Sequence, residues 1–251
     1  TPARAARHNH PGRPSDTHGR SLISLVIARS LHERGVEVIG CDDVGLTVLQ
    51  FSRHVKATFV HPSFEADEEA ALDAFEERVR KFAPLDDRPY VLIPSFRDAR
   101  LFARHRRRFE PLIRIAAPDA RSIEQVDPKD RFAAFCESHG LPAPKTRILA
   151  PGAFRETPPE DVVLPLIAKP VDGVGGRGVE RIETREALSR YLRASPAKSP
   201  VLLQEPVEGT DYCASFVAVR GELVGLVVYR NVRQFPIRSG AGAVRETVDA
   251  K

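Results

Sequence analysis

Methionine and tryptophan are absent from this sequence, and cysteine occurs only three times in 251 residues. The lack of methionine indicates a processed chain, a fragment, or a sequence without its modified methionines. Cys41, Cys136 and Cys213 lie far apart, form no C-x-x-C pair and are odd in number. We therefore exclude a disulfide framework and expect a reducing, cytoplasmic compartment.

Long apolar runs and a strong charge of either sign are also missing. No run approaches the ~18 residues that a membrane helix needs, so we expect no membrane association. The net charge of +4 is too small to indicate a polyanionic partner. No G-x-S-x-G or H-E-x-x-H pattern occurs, which disfavours a serine hydrolase and a zinc enzyme. The composition is otherwise that of an ordinary globular protein, with 42% hydrophobic and 29% charged residues.

The first half of the chain alternates between strand and helix patterns. Residues 1–14 are basic and rich in proline and histidine, and they predict a flexible tail. From there to residue 120, β-branched apolar runs alternate with segments of helical period. This alternation predicts a parallel sheet covered by helices, a Rossmann-like α/β domain over residues 15–120. The expected strands are 36–41, 90–94 and 112–116, and the expected helices include 65–82 and 98–109.

Two acidic residues, Asp42 and Asp43, follow the first of these strands. Ligands of parallel sheets bind at the carboxyl ends of the strands, which makes this pair a candidate substrate pocket. The segment 17–20 would join the pocket if a strand precedes it. Tight turns and helix caps are the alternative interpretation of each of these residues.

A basic run, residues 104–108, has the composition of a nucleic-acid contact. It lies inside the predicted helix 98–109, and no aromatic residues are interleaved with it to stack on bases. We therefore expect a solvated helix face and no nucleic-acid partner.

The second half contains a glycine-rich loop at residues 173–178, preceded by the apolar segment 164–170. Its G-x-G-x-x-G pattern resembles a dinucleotide fingerprint, but that fingerprint requires a helix directly after the last glycine. Here residues 179–182 have a strand pattern, so a dinucleotide-dependent oxidoreductase is a secondary alternative. A glycine loop between strands can instead direct backbone N–H groups at phosphates, and Lys169 would add a cation beside them. A plain hairpin with an exposed lysine is the structural alternative.

A second apolar strand ends in Gln204-Glu205-Pro206-Val207, with Asp211 shortly after it. Because proline lacks an N–H, this segment presents a defined pattern of backbone donors and acceptors to a planar base. Asp211 could accept hydrogen bonds from ribose hydroxyls. Helix 129–139 and strand 146–149 precede these elements.

The order of these elements resembles the ATP-grasp superfamily, in its carboxylate–amine ligase branch related to carbamoyl-phosphate synthase and D-aspartate ligase-like proteins. The resemblance covers residues 121–251, and it implies an incomplete ATP-grasp domain of α+β class after the Rossmann-like domain. It also implies ATP and Mg²⁺ as cofactors, and small-molecule carboxylate and amine substrates such as amino acids. A homodimer is compatible with it.

The resemblance assigns roles to individual residues. The cofactor-binding residues it implies are Lys129, Lys169, Gly175, Gly176, Gly178, Gln204, Glu205, Pro206, Val207 and Asp211. The lysines would contact phosphates, the glycines would cover them, the hinge from Gln204 would bind adenine, and Asp211 would bind ribose. Arg230 and Arg245 are the candidate catalytic residues, as anchors for the substrate carboxylate or the acyl phosphate.

One departure from the family pattern concerns the metal. The family holds magnesium through an acidic residue and a later Glu-x-Asn motif, and no such motif follows Asp211 in this sequence. We therefore assign no metal ligands and expect that the metal-binding part is missing from these residues. The function implied is an ATP-dependent ligase, and the alternative is a non-catalytic ATP-binding or regulatory module.

Overall fold

The computed structural model describes residues 13–16, 19–95, 97–153, 157–171, 176, 178–196, 198–235 and 241–249. The chain divides into two compact units, Thr1–Glu124 and Gln125–Lys251. None of the helices among the described residues is long and apolar enough to cross a bilayer.

The first unit is built on a parallel sheet of five strands in the order β3-β2-β1-β4-β5. Its strands are β1 (Arg13–Asp16), β2 (Ile39–Asp42), β3 (Ala57–Val60), β4 (Tyr90–Ile93) and β5 (Arg114–Ile115). The helices are α1 (Leu22–His32), a short 3-10 helix (Val48–Phe51), α2 (Glu68–Lys81), α3 (Arg97–Arg104) and α4 (Arg106–Phe109). This sheet confirms the predicted Rossmann-like α/β architecture.

Two strands of the first unit were not predicted from the sequence. β3 has an unremarkable sequence, and only Phe59 on it is buried, so its apolar pattern is too weak to identify it. β1 begins at Arg13, inside the segment predicted to be a tail, and pairs with both β2 and β4. Its sequence, Arg-Pro-Ser-Asp, has no strand pattern of its own, so pairing with its neighbours determines its conformation.

Helix α2 shows how the first unit is held together. Asp67 caps it by accepting a hydrogen bond from the Ala70 N–H at 3.1 Å. Phe75, fully buried on its inner face, packs against Phe102 and Phe109 with ring centroids 4.9 and 5.9 Å away. An aromatic cluster therefore fills the space between this helix, the sheet and the segment 97–109.

The acidic outer face of α2 pairs with the basic run. The predicted helix 98–109 is two helices, α3 and α4, separated at His105. Arg108 Nε donates to Glu76 Oε2 at 2.7 Å, and the same guanidinium pairs with Asp73. His105 Nε2 lies 2.9 Å from Glu68 Oε1. The expectation of a solvated face was therefore wrong in part, because these side chains are bound by carboxylates of the same unit.

This ion-pair network predicts an acid-sensitive stability. Hydrogen bonds from Arg108 and Arg80 lower the pKa of Glu76, so the folded state favours its charged form. Such stabilisation is present above the ordinary glutamate pKa and is lost as the pH falls through the lowered value. We expect Arg108→Gln to lower the free energy of unfolding at neutral pH by about 1 kcal/mol and to flatten its pH dependence below pH ~5.

The measurement is urea unfolding at a series of pH values. Arg107→Gln is the matched control, because Arg107 is the exposed neighbour on the same helix. Equal losses in the two variants would contradict the network.

The second unit contains two antiparallel sheets, in the orders β6-β9-β7-β8 and β10-β11-β12. The strands are β6 (Thr146–Leu149), β7 (Leu166–Pro170), β8 (Glu180–Ile182), β9 (Val201–Gln204), β10 (Tyr212–Val219), β11 (Glu222–Phe235) and β12 (Ala241–Val248). The helices are α6 (Lys129–Ser138) and α7 (Arg185–Ala194), and α5 (Ala120–Val126) spans the division between the units. Leu188 and Leu192 of α7 pack on the inner face of the four-stranded sheet.

Candidate functional site

Lys129 and Lys169 lie close together in the second unit. Lys129 is the first residue of α6, and its Nζ donates to the Val171 carbonyl at 2.7 Å. Lys169 is half-buried on β7, two residues before Val171. Burial and then the nearby Lys129 charge lower the pKa of Lys169. Two cations that destabilise each other at one end of a strand create a site that favours an anion.

The Lys169 ammonium is held by a neighbouring strand. Lys169 Nζ donates to Gln204 Oε1 at 2.7 Å, and Gln204 Nε2 donates to Thr146 Oγ1 at 2.7 Å. The Thr146 hydroxyl then donates to the Pro144 carbonyl at 2.9 Å. β7, β9 and β6 are adjacent, which is why these side chains meet. Thr146 was not predicted as a site residue, because the pairing of β6 with β9 cannot be deduced from one sequence.

The described glycines of the loop have the backbone conformation that glycine favours. Gly176 and Gly178 have φ angles of 78° and 70°. Tyr191 Oη donates to the Gly178 carbonyl at 2.6 Å, and a Cβ at Gly178 would lie 3.1 Å from the Pro170 ring. Burial and the Glu180 charge raise the pKa of Tyr191 to about 12, so the hydroxyl keeps the proton that it donates. Gly178 is thus held between β7 and α7.

Gly175 lies outside the described residues, as do residues 172–174 and 177. The expectation of a mobile loop at 173–178 falls largely on these positions and stays a prediction. After Gly178 the chain enters β8, not a helix. The structural context required for a dinucleotide fingerprint is therefore not met.

The predicted adenine hinge follows β9. The Glu205 N–H donates to the Lys145 carbonyl at 3.0 Å, and Glu205 Oε1 accepts from the Lys145 N–H at 2.8 Å. Pro206 is half-buried and Val207 is 71% exposed. These bonds fix the backbone where the hinge begins, while its role in binding adenine stays a prediction.

Asp211 is held by two amides of β11. Its Oδ2 accepts from Asn231 Nδ2 at 2.6 Å and from Gln234 Nε2 at 2.9 Å. The Asn231 N–H also donates to the Asp211 carbonyl at 2.9 Å. These bonds keep the carboxylate in one orientation, and its contact with a ribose stays a prediction.

The two candidate catalytic arginines contact other side chains of the last sheet. Arg230 Nε donates to Glu246 Oε2 at 2.6 Å across β11 and β12. Arg245 lies over the Tyr229 ring, 5.0 Å from its centroid. Both contacts are made within the sheet of β10, β11 and β12. Their role as substrate anchors therefore remains a prediction.

The predicted pocket of the first unit also has a defined structure. β1 precedes residues 17–20, so the strand required for that segment is present. The Arg20 N–H donates to Asp42 Oδ2 at 2.8 Å, and the Arg20 guanidinium binds Asp42 and Asp43. His61 follows β3, and its N–H donates to the Asp42 carbonyl at 3.1 Å. Substrate binding at this edge stays a prediction.

The second unit matches a known protein family. Residues 127–245 match the ATP-grasp domain family. The match lies within the second unit of the chain. The predicted resemblance to this superfamily is thereby confirmed, and the matched residues include both lysines, Gln204 and Asp211.

Two curated proteins resemble parts of the chain. The C-terminal section of the carbamoyl phosphate synthase large chain from Methanopyrus kandleri is 25% identical over 104 residues, which are 40% of this chain and 19% of that protein. The D-alanine–D-alanine ligase of Chromohalobacter salexigens is 32% identical over 90 residues, 36% of this chain and 29% of that protein. The matched segments therefore cover less than a third of the length of these relatives.

Solved structures share the fold over most of the chain. An L-amino acid ligase from Bacillus licheniformis superposes with a TM-score of 0.69 at 16% identity, over 96% of this chain and 56% of that one. A carboxyaminoimidazole ribonucleotide synthase from Aspergillus clavatus, crystallised with ATP, gives a TM-score of 0.66 at 15% identity, over 90% of this chain and 56% of that one. These matches confirm the predicted fold class, in which a Rossmann-like α/β domain is followed by a second domain of helices and sheets.

Proposed function

We propose that the protein binds ATP at the lysine pair and acts as a ligase that joins a carboxylate to an amine. The observation that carries the proposal is the approach of Lys129 and Lys169 beside glycines of an ATP-grasp domain. Among the described residues, no carboxylate forms a salt bridge with Lys169. Its charge is therefore available to a ligand anion, and a triphosphate supplies several negative charges.

The reaction has two steps. A carboxylate oxygen attacks the γ-phosphorus of ATP, the bond to ADP breaks, and an acyl phosphate forms. The amine nitrogen then attacks the acyl carbon, inorganic phosphate leaves, and the nitrogen loses a proton. Lys129 and Lys169 stabilise the negative charge of the transferring phosphoryl group, and backbone N–H groups at the glycines supply further donors.

The remaining site residues take supporting roles in the proposal. The backbone of Glu205, Pro206 and Val207 binds the adenine edge, and Asp211 binds the ribose. Arg230 and Arg245 bind the substrate carboxylate or the acyl phosphate, through charge-assisted hydrogen bonds. Binding of the carboxylate would require Arg230 to exchange its bond to Glu246 for the substrate.

The described residues by themselves do not form a magnesium site. No group of three His, Cys, Asp or Glu side chains among them could hold a metal ion. The proposed roles therefore rest on the lysines, the glycines and the hinge. In the experiments below, Mg²⁺ is supplied as part of the MgATP substrate.

Amino acids are the first substrates to test. One curated relative is a D-alanine–D-alanine ligase and one structural neighbour is an L-amino acid ligase, both of which are named for amino acid substrates. Phosphate release from ATP, measured on the full-length protein with pairs of amino acids, tests the ligase proposal. ATP binding without phosphate release for any pair would favour the alternative, a non-catalytic ATP-binding module. The predicted homodimer is tested separately by sedimentation.

The nucleotide itself is tested by thermal unfolding. A ligand that binds only the folded state at a hundred times its Kd stabilises that state by about 2.7 kcal/mol. We expect saturating MgATP to raise the Tm by several degrees, whereas NAD should leave it unchanged. A larger shift with NAD would contradict the ATP site.

A further inference from the structure

Thr146 is not among the residues predicted to bind ATP, yet it belongs to a chain of hydrogen bonds that ends at Lys169. The chain runs from the Lys169 ammonium through the Gln204 amide and the Thr146 hydroxyl to the Pro144 carbonyl. We propose that Thr146 is a positioning residue, which fixes the orientation of the Gln204 amide and thereby the place of the Lys169 ammonium. The proposal rests on the proposed ATP site.

The two ends of this chain determine its direction. A lysine ammonium only donates hydrogen bonds, and a backbone carbonyl only accepts them. Because the Thr146 proton is donated to Pro144, the Thr146 oxygen can only accept from Gln204, so the amide N–H₂ must face Thr146. The amide oxygen then faces Lys169, which is the orientation that an ammonium requires.

Removing the hydroxyl at residue 146 would remove this constraint. The Gln204 amide could then rotate about its Cγ–Cδ bond. A side chain without a hydroxyl at residue 146 accepts no hydrogen bond, so it no longer selects the N–H₂ group over the amide oxygen. In the rotated state the amide N–H₂ would face the Lys169 ammonium, and two donors cannot bond to each other. In that state the ammonium would lose its acceptor at a half-buried position, where burial already disfavours its charge.

The direct test uses Thr146→Val, which keeps the shape of the side chain and removes the hydroxyl. We expect the Kd for MgATP, measured by calorimetry, to rise about three- to tenfold, the range that corresponds to one lost hydrogen bond. Thr146→Ser restores the hydroxyl and should restore the Kd. A purely structural threonine would be rescued poorly by serine, which lacks the methyl group, so failure of the serine rescue overturns the proposal.

A double-mutant cycle shows whether Thr146 acts through Lys169. In a Lys169→Met background, Thr146→Val should have no further effect on the MgATP affinity, since no ammonium remains to be positioned. Additive losses would contradict the relay. Thr58→Val, an equivalent change on an exposed threonine of β3, is the matched control and should leave the affinity unchanged.

A second readout needs no nucleotide. The pKa of Lys169, followed by NMR of its Cε, should fall in Thr146→Val and return in Thr146→Ser, because the amide oxygen stabilises the ammonium. If the wild-type protein fails to bind MgATP, the proposed function fails while this titration still decides the relay. If Thr146→Val does not fold, Thr146→Ala replaces it in both measurements. An unchanged Lys169 pKa in the folded variant overturns the proposal.

Discussion

Replacing Lys169 with methionine is expected to weaken MgATP binding roughly tenfold or more. Methionine keeps the apolar stem that β7 buries and removes the ammonium. A charge-assisted hydrogen bond contributes about 1.5–3 kcal/mol, which corresponds to about one to two orders of magnitude in Kd. Lys129→Met should have a comparable effect, because its ammonium lies at the same end of β7 as that of Lys169.

The measurement is calorimetric titration of each variant with MgATP, after urea unfolding has shown that it is folded. Lys198→Met, a substitution of an exposed lysine in the same unit, is the matched control and should bind like the wild type. Each substitution should change the free energy of unfolding by no more than about 1 kcal/mol, because the lost hydrogen bond to Gln204 or Val171 offsets the relief of repulsion between the two cations. An unaltered affinity in Lys169→Met would mean that this lysine does not contact phosphate.

The architecture could be predicted because it depends on patterns that repeat along the chain. The strand 90–94 is a continuous apolar run of the kind that parallel sheets bury, and the structure places β4 there. The strand pattern of residues 179–182 was also interpreted correctly, since β8 follows Gly178 where a dinucleotide fold needs a helix. Both conclusions needed local sequence alone.

What could not be predicted depends on contacts between distant segments. The basic run 104–108 and the acidic face of α2 are separated by more than one element, and only the packing of the two helices shows that they pair. Thr146 is the same case at the site, because its partner Gln204 lies on a strand 58 residues away. β1 has no strand pattern of its own, and its extended conformation depends on hydrogen bonds to β2 and β4.

Replacing Gly178, the glycine at the end of the loop, with alanine is expected to destabilise the fold. Gly178 has a φ of 70°, and a Cβ there would lie 3.1 Å from two atoms of the Pro170 ring. Gly178→Ala therefore combines two costs. A side chain in the left-handed region costs about 1–2 kcal/mol, and the contact with Pro170 forces a shift that adds about 1 kcal/mol. We expect the free energy of unfolding to fall by about 2–3 kcal/mol.

Gly140→Ala separates the two costs, because Gly140 has a similar φ of 62° and a Cβ there would contact nothing within 4 Å among the described residues. The free energy of unfolding of Gly140→Ala should fall only by the cost of the backbone conformation, about 1–2 kcal/mol. The MgATP affinity should fall in Gly178→Ala alone, since a shift of Pro170 moves the end of β7, next to Lys169, and strains the bond from Tyr191 to the Gly178 carbonyl. Equal stability losses in the two variants, with the nucleotide affinity unaltered in both, would show that the contact between Gly178 and Pro170 does not position the site.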